Sequence, residues 1–483
     1  MNAKLPLVFK ALFPALIVIS ISSSGQDGHY WTQQYGTRSM LLSGSVIGGV
    51  DDLGAVYYNP ARISQISNPA FLLSADVYEW NTLKMEDAFG ENKNASQSDF
   101  GGVPSLAAGT FRIPFLEKHS FAWAILLRQN MDITFSYKNE IHDDVLDMYP
   151  GTEYFGAEIT ISNVGKEEWM GLSWAYPVND KLSIGASGYL STISNAKGNI
   201  INLQALTESS QVALFRFNKR SSYKQYSILL KAGISYRTEK VILGLTALIP
   251  SIRVKGNGNF QHEYFFAGIE EMNENPNIYL TNYQDKLKTK VRSPWSVGVG
   301  FTYVLGKSRI HLSSEWFTAV PKYTVMQAED YIGQSQLDTN SFQLIENYRS
   351  VINAGVGFEI FLTENISFFT SFSTDFSAVV NDVALFVENE SEASNSTFTS
   401  DFYHFGGGVA LDLKGADVTL GVTRTGSNLK LPRPFNFPEE EGDDIFETEN
   451  TIDAAWRRWR IVFSFSLPFL KDWQRKAEEK LGF

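Results

Sequence analysis

The sequence predicts an all-β protein: an antiparallel transmembrane β-barrel of about 14 strands, with an N-terminal plug and a short C-terminal helix. Three observations predict it. Apolar and polar residues alternate with period two over most of the chain, tight and long connections alternate strictly, and the composition admits no bundle of membrane helices. The chain has 483 residues, 43% of them hydrophobic and 14% aromatic, with 35 Phe and 21 Tyr. Mean hydropathy is only -0.15. At about 150 residues per domain this length would allow three soluble domains, but no Pro/Ser-rich linker or charge block divides it. Cys is absent, which excludes a disulfide scaffold, thiolate catalysis and thiolate metal sites. A net charge of -12 argues against nucleic acid as a partner.

The N-terminus supplies an address. Lys4 and Lys10 precede an apolar run from Ala11 to Ile21, and Ser22, Ser23, Ser24 and Gly25 follow. A basic start, a short apolar stretch and small residues predict a secretory signal peptide over 1–25. The run is too short for a spanning helix, although a retained anchor is the competing reading. The expected location is the bacterial outer membrane.

The alternation is clearest in two segments. Trp295, Val297, Val299, Phe301 and Tyr303 alternate with Ser296, Gly298, Gly300 and Thr302. Near the end, Trp459, Ile461, Phe463, Phe465, Leu467 and Phe469 alternate with Arg458, Arg460, Val462, Ser464 and Ser466. One face is continuously apolar and the other is small, polar or charged, as a strand with lipid on one side and a lumen on the other requires. The barrel is expected over 70–470. Tight turns are expected at Leu116-Glu117-Lys118, Asn179-Asp180, Thr238-Glu239, Gly306-Lys307, Thr363-Glu364 and Lys414-Gly415. Between them come long loops over 85–103, 139–165, 198–221, 255–287, 324–345, 381–397 and 427–454. Short periplasmic turns and long extracellular loops follow this rule in outer-membrane barrels, whereas Greek-key sandwiches have no reason to keep it. The acidic run Glu439-Glu440-Glu441-Gly442-Asp443-Asp444 reads as a solvated loop face. Residues 471–483 read as a charged periplasmic helix that lies on the membrane through Trp473 and Leu481 or covers the barrel mouth.

Residues 26–69 do not alternate, and their Gly, small residues and Asn-Pro turn suit a compact plug. A lumen of this width is more than strand side chains alone fill. Within the plug stand Gly36-Thr37-Arg38-Ser39-Met40-Leu41-Leu42-Ser43-Gly44-Ser45 and Asp52-Leu53-Gly54-Ala55-Val56-Tyr57-Tyr58-Asn59-Pro60-Ala61. These resemble the hatch of the FadL-type outer-membrane transport proteins. Gly244 to Ser251 and Arg292 to Gly300 are similar to later pieces of that family. The resemblance implies a hatch followed by 14 strands and uptake of hydrophobic molecules, long-chain fatty acids being the best-known class. It also implies a lateral exit at a kinked strand, gated by hatch movement. The expected partners are outer-membrane lipid and a hydrophobic small molecule or fatty acid. An alternative is a barrel subunit of an outer-membrane protein complex, such as secretion machinery. One departure from the family pattern is Arg62, where the residue after Asn-Pro-Ala is usually Gly.

The resemblance assigns the ligand path and hatch to Tyr30, Trp31, Tyr57, Tyr58, Asn59 and Pro60. The candidate lateral gate is the break at Gln129-Asn130, which also suits an ordinary bulge or strand end. Arg458 and Arg460, on the inward face, are candidate contacts for a carboxylate head group; the competing reading pairs them with Glu315 or Asp375 across the lumen. No enzyme, cofactor or metal site is expected. Gly300 to Ser308 misses phosphate-loop spacing by one residue, and the six His residues show no metal-ligand spacing. His311, Ser313 and Glu315, on one face, are the only residues suggestive of a hydrolase.

Overall fold

The structure is a computed structural model. It describes residues 28–466 except 67–70, 74–76, 103–104, 112, 114, 147–149, 269–276, 336–337, 381–390, 395, 397–398, 414–415, 434–436 and 438–450. The expected signal peptide, the C-terminal helix and the acidic run at 439–444 lie outside the described residues.

The first strand comprises β1 (Phe71–Leu73) and β2 (Val77–Met85), and its hairpin partner comprises β3 (Ala95–Gly102) and β4 (Leu106–Phe111). One register serves both halves, from Phe71 opposite Gly109 to Met85 opposite Ala95. Four long antiparallel strands follow: β5 (Ser120–Asp143), β6 (Glu153–Pro177), β7 (Leu182–Leu206) and β8 (Val212–Arg237). The next strand position holds β9 (Val241–Leu248) and β10 (Ile252–Ala267), and the one after it β11 (Ile278–Lys288) and β12 (Ser296–Leu305). β13 (Ser308–Phe317) leads to an outer excursion of β14 (Val320–Gln327), β15 (Tyr331–Ile332), β16 (Thr339–Asn340) and β17 (Gln343–Tyr348). The wall resumes with β18 (Val351–Phe361) and β19 (Ile366–Asp375). The short β20 (Glu392–Ala393) joins the excursion, and β21 (Phe402–Leu413), β22 (Ala416–Pro432) and β23 (Thr451–Ser466) complete the chain. β23 pairs with β22 on one side and with β2 on the other, so the ladder returns to the first strand. Among the described residues the 18 segments of the main sheet thus occupy fourteen strand positions. All their pairings are antiparallel, and the last strand pairs with the first, so the ring closes on itself.

Side-chain parity explains which face is which. On β8, Tyr226, Ile228, Leu230, Ala232, Ile234 and Tyr236 point out, whereas Ser227, Leu229, Lys231, Gly233 and Ser235 are buried. From one tyrosine to the other, a strand rising about 3.4 Å per residue and tilted about 40° covers roughly 25 Å. That matches the apolar band of a membrane barrel. Beyond Tyr226 the outward residues become Lys224, Arg220 and Arg216, yet the ladder continues. Much of 85–103, 139–165, 198–221 and 255–287 is therefore strand rather than loop. The lipid-facing pattern stops at the tyrosine, whereas backbone pairing does not. An inner apolar core carries the extension: Ile133, Phe135, Phe155, Ile159, Ile161, Ile201, Leu203, Phe215 and Phe217 are all buried, capped by Phe89 and Phe437. Each such side chain contributes about 1.5–3 kcal/mol by leaving water.

Residues 28–66 lie inside the ring. They form a helix at Thr37–Leu41, another at Ala55–Tyr58, and a 3-10 turn at Pro60–Gln65. The last begins well: the Asn59 side chain accepts from the Ala61 N–H, and Pro60 occupies the first turn, where its missing N–H costs nothing. Gly36 opens the first helix at φ 82°, a conformation costly for other residues, and a Cβ there would strike the Asp52 carboxylate. The inward glycines of the wall make room for this segment. A Cβ at Gly185 or Gly233 would collide with Pro60 and its neighbours, one at Gly244 with the Ile47 carbonyl, and one at Gly300 with Gly48. The small inward residues that distinguish these strands are thus the seat of the hatch.

Gly244→Val and Gly300→Val are expected to unseat the hatch without opening the barrel. Heat-modifiable electrophoretic mobility should stay at the wild-type value while conductance across planar bilayers rises. Wild-type conductance in both variants would show that the hatch does not depend on this contact.

Candidate functional site

Polar wall residues hold the segment Gly28–Tyr35 across the lumen. Asp375, on β19, accepts from the backbone N–H of Tyr30 and of Trp31, both at 2.9 Å, and from the Thr32 hydroxyl at 2.7 Å. Glu315, on β13, accepts from the Trp31 indole at 2.9 Å and from Ser296 at 2.7 Å. Arg128 donates to the Tyr30 carbonyl at 2.9 Å, and Arg458 donates to the Thr32 carbonyl. Tyr30 stacks on Phe317 at 4.2 Å and His29 on Phe402 at 3.9 Å. Each charged group carries a hydrogen-bonded partner, as burial demands.

Arg460 donates to Glu79 at 2.7 Å, to Gln34 at 3.2 Å and to Gln33. Glu315 and Asp375 bind the hatch instead of the two arginines. The reason is register: Arg460 lies directly opposite Glu79 on the neighbouring strand, so its partner is beside it rather than across the lumen.

The second half of the hatch is an aromatic knot. Tyr57 meets Tyr35 at 4.5 Å, Tyr58 at 5.2 Å and Trp169 at 6.0 Å, and the Lys231 ammonium stands 4.7 Å from its ring centre. The Tyr35 N–H donates to the Tyr58 hydroxyl at 3.1 Å. Burial raises the phenol pKa of Tyr35, Tyr57 and Tyr58 and keeps them neutral. Asn59 donates to the carbonyls of Ile47 at 3.0 Å and Ile234 at 3.1 Å, joining hatch to wall through one amide.

At the base, Asp52 accepts from Ser39 N–H at 3.0 Å, from its hydroxyl at 2.9 Å and from Gly54 N–H at 2.9 Å. Burial raises its pKa against these bonds. The neighbouring Asp51 goes the other way. Burial pulls it up as well, but Arg309 and Arg62 hold its carboxyl below the ordinary range. Arg62 pairs with Asp51 at 2.7 Å and donates to the Val50 carbonyl at 3.2 Å, and Arg38 pairs with Glu359. The residue that departs from the family pattern is therefore a staple within the hatch.

The wall is interrupted beside the hatch. β4 pairs with β5 from Phe111 opposite Phe121 to Leu106 opposite Leu126, and the register of β5 on β6 then shifts between Leu127 and Gln129. The bulge leaves Arg128 unpaired and turned inward, where it is 5% exposed. Continuing the β4 register would set Gly102 opposite Asn130, but β3 pairs with β2 and, among the described residues, has no ladder to β5. Two contacts close the upper end: Gln97 donates to the Asp132 carbonyl at 3.1 Å and accepts from the Thr134 N–H at 2.9 Å. Between these limits a cavity of about 280 Å³ runs from Asp99, Phe100 and Gly101 past Gln129 and Asn130 to His29, Thr32 and Gln33. Phe402, Trp456 and Met131 supply apolar lining, and Arg128 and Arg458 supply charge. The Tyr35 hydroxyl donates to the Leu127 carbonyl at 3.1 Å, so hatch and bulge touch directly.

The structure thus brings Gln129, Asn130 and Arg458 to one cavity, whereas Tyr57, Tyr58, Asn59 and Pro60 do not line it. Sequence reasoning missed Arg128, Gln97 and Asp375 as site residues. A signal for the bulge existed: Ala122, Ala124 and Leu126 are inward at even positions, whereas Ile133 and Phe135 are inward at odd ones. His311, Ser313 and Glu315 do not act together. His311 bonds Thr302 at 3.0 Å, Ser313 accepts from Ile47 N–H at 3.1 Å, and Glu315 serves Trp31. No group of His, Cys, Asp and Glu able to hold a metal occurs among the described residues.

Two outcomes are expected. Asp375→Ala leaves the N–H groups of Tyr30 and Trp31 without their acceptor, a loss of about 3 kcal/mol, so hydrogen-exchange protection over 28–35 should fall roughly a hundredfold; unchanged protection would exclude Asp375 as the anchor. Because Asp51 has a lowered pKa, its contribution to hatch seating is complete above the unfolded carboxyl pKa of about 3.9 and is lost as pH falls through and below it. Protease cleavage of the hatch should rise below about pH 4 in the wild type, and Asp51→Asn should show the acid behaviour already at neutral pH.

No protein-family model and no curated protein sequence matches the chain. Solved structures do match its fold. A Pseudomonas aeruginosa FadL homologue superposes with a TM-score of 0.52 at 12% identity, over 90% of this chain and 98% of its own. The Ralstonia pickettii toluene transporter TbuX gives 0.51 at 14%, and the P. putida toluene transporter TodX 0.51 at 12%, each over 90% of this chain and 98% of its own. With a ring of antiparallel strands closed around an N-terminal hatch, the chain has the fold of the FadL-type barrels.

Proposed function

We propose that the chain sits in a bacterial outer membrane and takes up hydrophobic molecules of the long-chain fatty acid kind, releasing them sideways through the wall. The observation that carries the reading is the unpaired stretch between β3 and β5, with a cavity leading from it to the hatch arm. An apolar solute dissolves readily in the bilayer but crosses the polar sugar layer above it poorly. A route from the outer end of the barrel to a gap at membrane depth avoids that layer and never commits the solute to water. Phe100, Met131, Phe402 and Trp456 suit an apolar body, and Arg128 and Arg458 suit a carboxylate at one end of it. The arm is tied to both arginines and to the bulge at Leu127, so hatch motion and the width of the gap are coupled. The apolar outward band between Tyr226 and Tyr236 supports the membrane placement.

The chain has no native Cys, so Gly101→Cys and Asn130→Cys can be joined by a reducible bismaleimide. Uptake of a fluorescent fatty acid by vesicles carrying the protein is expected to fall at least tenfold when the gap is stapled and to return on reduction. Undiminished uptake would mean that the gap is not the exit. A monoaromatic hydrocarbon run in parallel distinguishes the two ligand shapes.

A further inference from the structure

The outward face carries a second feature, which shares only Phe100 with the cavity. One register row crosses six strands: Phe372 lies opposite Phe405, Phe405 opposite Arg424, Arg424 opposite Trp459, Trp459 opposite Trp80, and Trp80 opposite Phe100. All five aromatic side chains are exposed. The row is inclined, as the strands are tilted; at its centre Trp459 and Arg424 stand just beyond the apolar outward residues Leu420, Val422 and Ile461, the place where aromatic side chains mark the head-group level of a bilayer. One cation, Arg424, interrupts the row. Arg457 stands in the next row, opposite Gly426, and Arg349 comes down from the outer excursion. The three guanidinium groups line one open hollow of about 800 Å³ together with Phe372, Tyr403 and Phe405.

The arginines are held but not neutralised. Arg349 donates to the Ser377 carbonyl at 2.9 Å, Arg457 donates to the Trp456 carbonyl at 2.8 Å, to the Ser427 carbonyl and to the Asn428 side chain, and Arg424 lies 5.5 Å from the ring centre of Trp459. Among the described residues none of the three forms an ion pair. Among the described residues the one carboxylate lining the hollow is Asp401, whose Oδ1 accepts from the Ser377 N–H at 3.0 Å. Gly426 keeps the centre clear, since a Cβ there would strike Arg457. Three guanidinium groups around a gap bind a phosphate through paired N–H donors better than they bind a singly charged carboxylate, because the dianion answers more of the charge and offers more acceptors.

We infer that this hollow binds a phosphate-bearing lipid head group of the outer leaflet, with its acyl chains lying along Leu420, Val422 and Ile461. The inference rests on the membrane placement proposed above. It concerns the outside of the wall, away from the transported solute.

The test uses the full-length protein in detergent, with bisphosphorylated lipid A as the probe and native mass spectrometry as the readout. One lipid A per chain should survive delipidation. Arg349→Gln/Arg424→Gln/Arg457→Gln should weaken its retention at least tenfold, as should enzymatic removal of the lipid phosphates from the probe. Heat-modifiable mobility checks folding, and if the triple variant fails that check, single Arg424→Gln and Arg457→Gln variants should each weaken retention several-fold. Equal retention by folded variants, or equal retention of the dephosphorylated lipid, would overturn the inference. Full displacement by an equal concentration of inorganic phosphate would overturn the assignment to a lipid. Protein that inserts into vesicles yet retains no lipid A refutes the head-group site alone; protein that fails to insert refutes the membrane placement and the site with it.

Discussion

The Asn59 amide bonds the hatch to itself at Ile47 and to the wall at Ile234. It can do so only because Gly233 and Gly244 let the two backbones meet. Much else follows from this close approach. A ring of this circumference encloses more space than its own side chains fill, so the lumen needs a filler. The filler must satisfy its buried backbone groups. Small wall residues bring it near, and Asp375, Glu315, Arg128 and Arg458 then supply the missing partners. The price is a lumen rich in buried charge, stable only while each pair stays together.

The same arrangement ties the hatch to the interrupted stretch of the wall. The bulge at Arg128 does three things: it ends the β4–β5 ladder, frees a guanidinium for the Tyr30 carbonyl, and offers the Leu127 carbonyl to Tyr35. An interruption in one strand thereby lies in direct contact with the plug. The outer face is organised independently. Its aromatic row follows from register alone, and the arginine that interrupts it faces away from the lumen.

The fold was legible because lipid on one side and a plug on the other impose a period of two on strand after strand, with short and long connections alternating between them. Trp459, Ile461 and Phe463 face out while Arg458, Arg460 and Val462 are buried, as their alternation requires. Strand ends were less legible. β5 to β8 continue beyond the membrane band because backbone pairing needs no lipid, and their outward residues there look like loop residues. The partners of Arg458 and Arg460 were not legible either. Parity says that a side chain points inward, but whether it meets a neighbour, the opposite wall or the hatch depends on register and on where the hatch lies.

The sequence by itself determined the class of fold, the inward and outward faces and the compact character of the segment before the strands, because each is written in local periodicity and small-residue content. Tertiary structure alone decided that Asp375 anchors the hatch arm, that Arg62 staples Asp51, and that β3 and β5 part beside Arg128. These contacts join residues up to hundreds of positions apart, and their geometry depends on the closure of the ring, which no local pattern encodes.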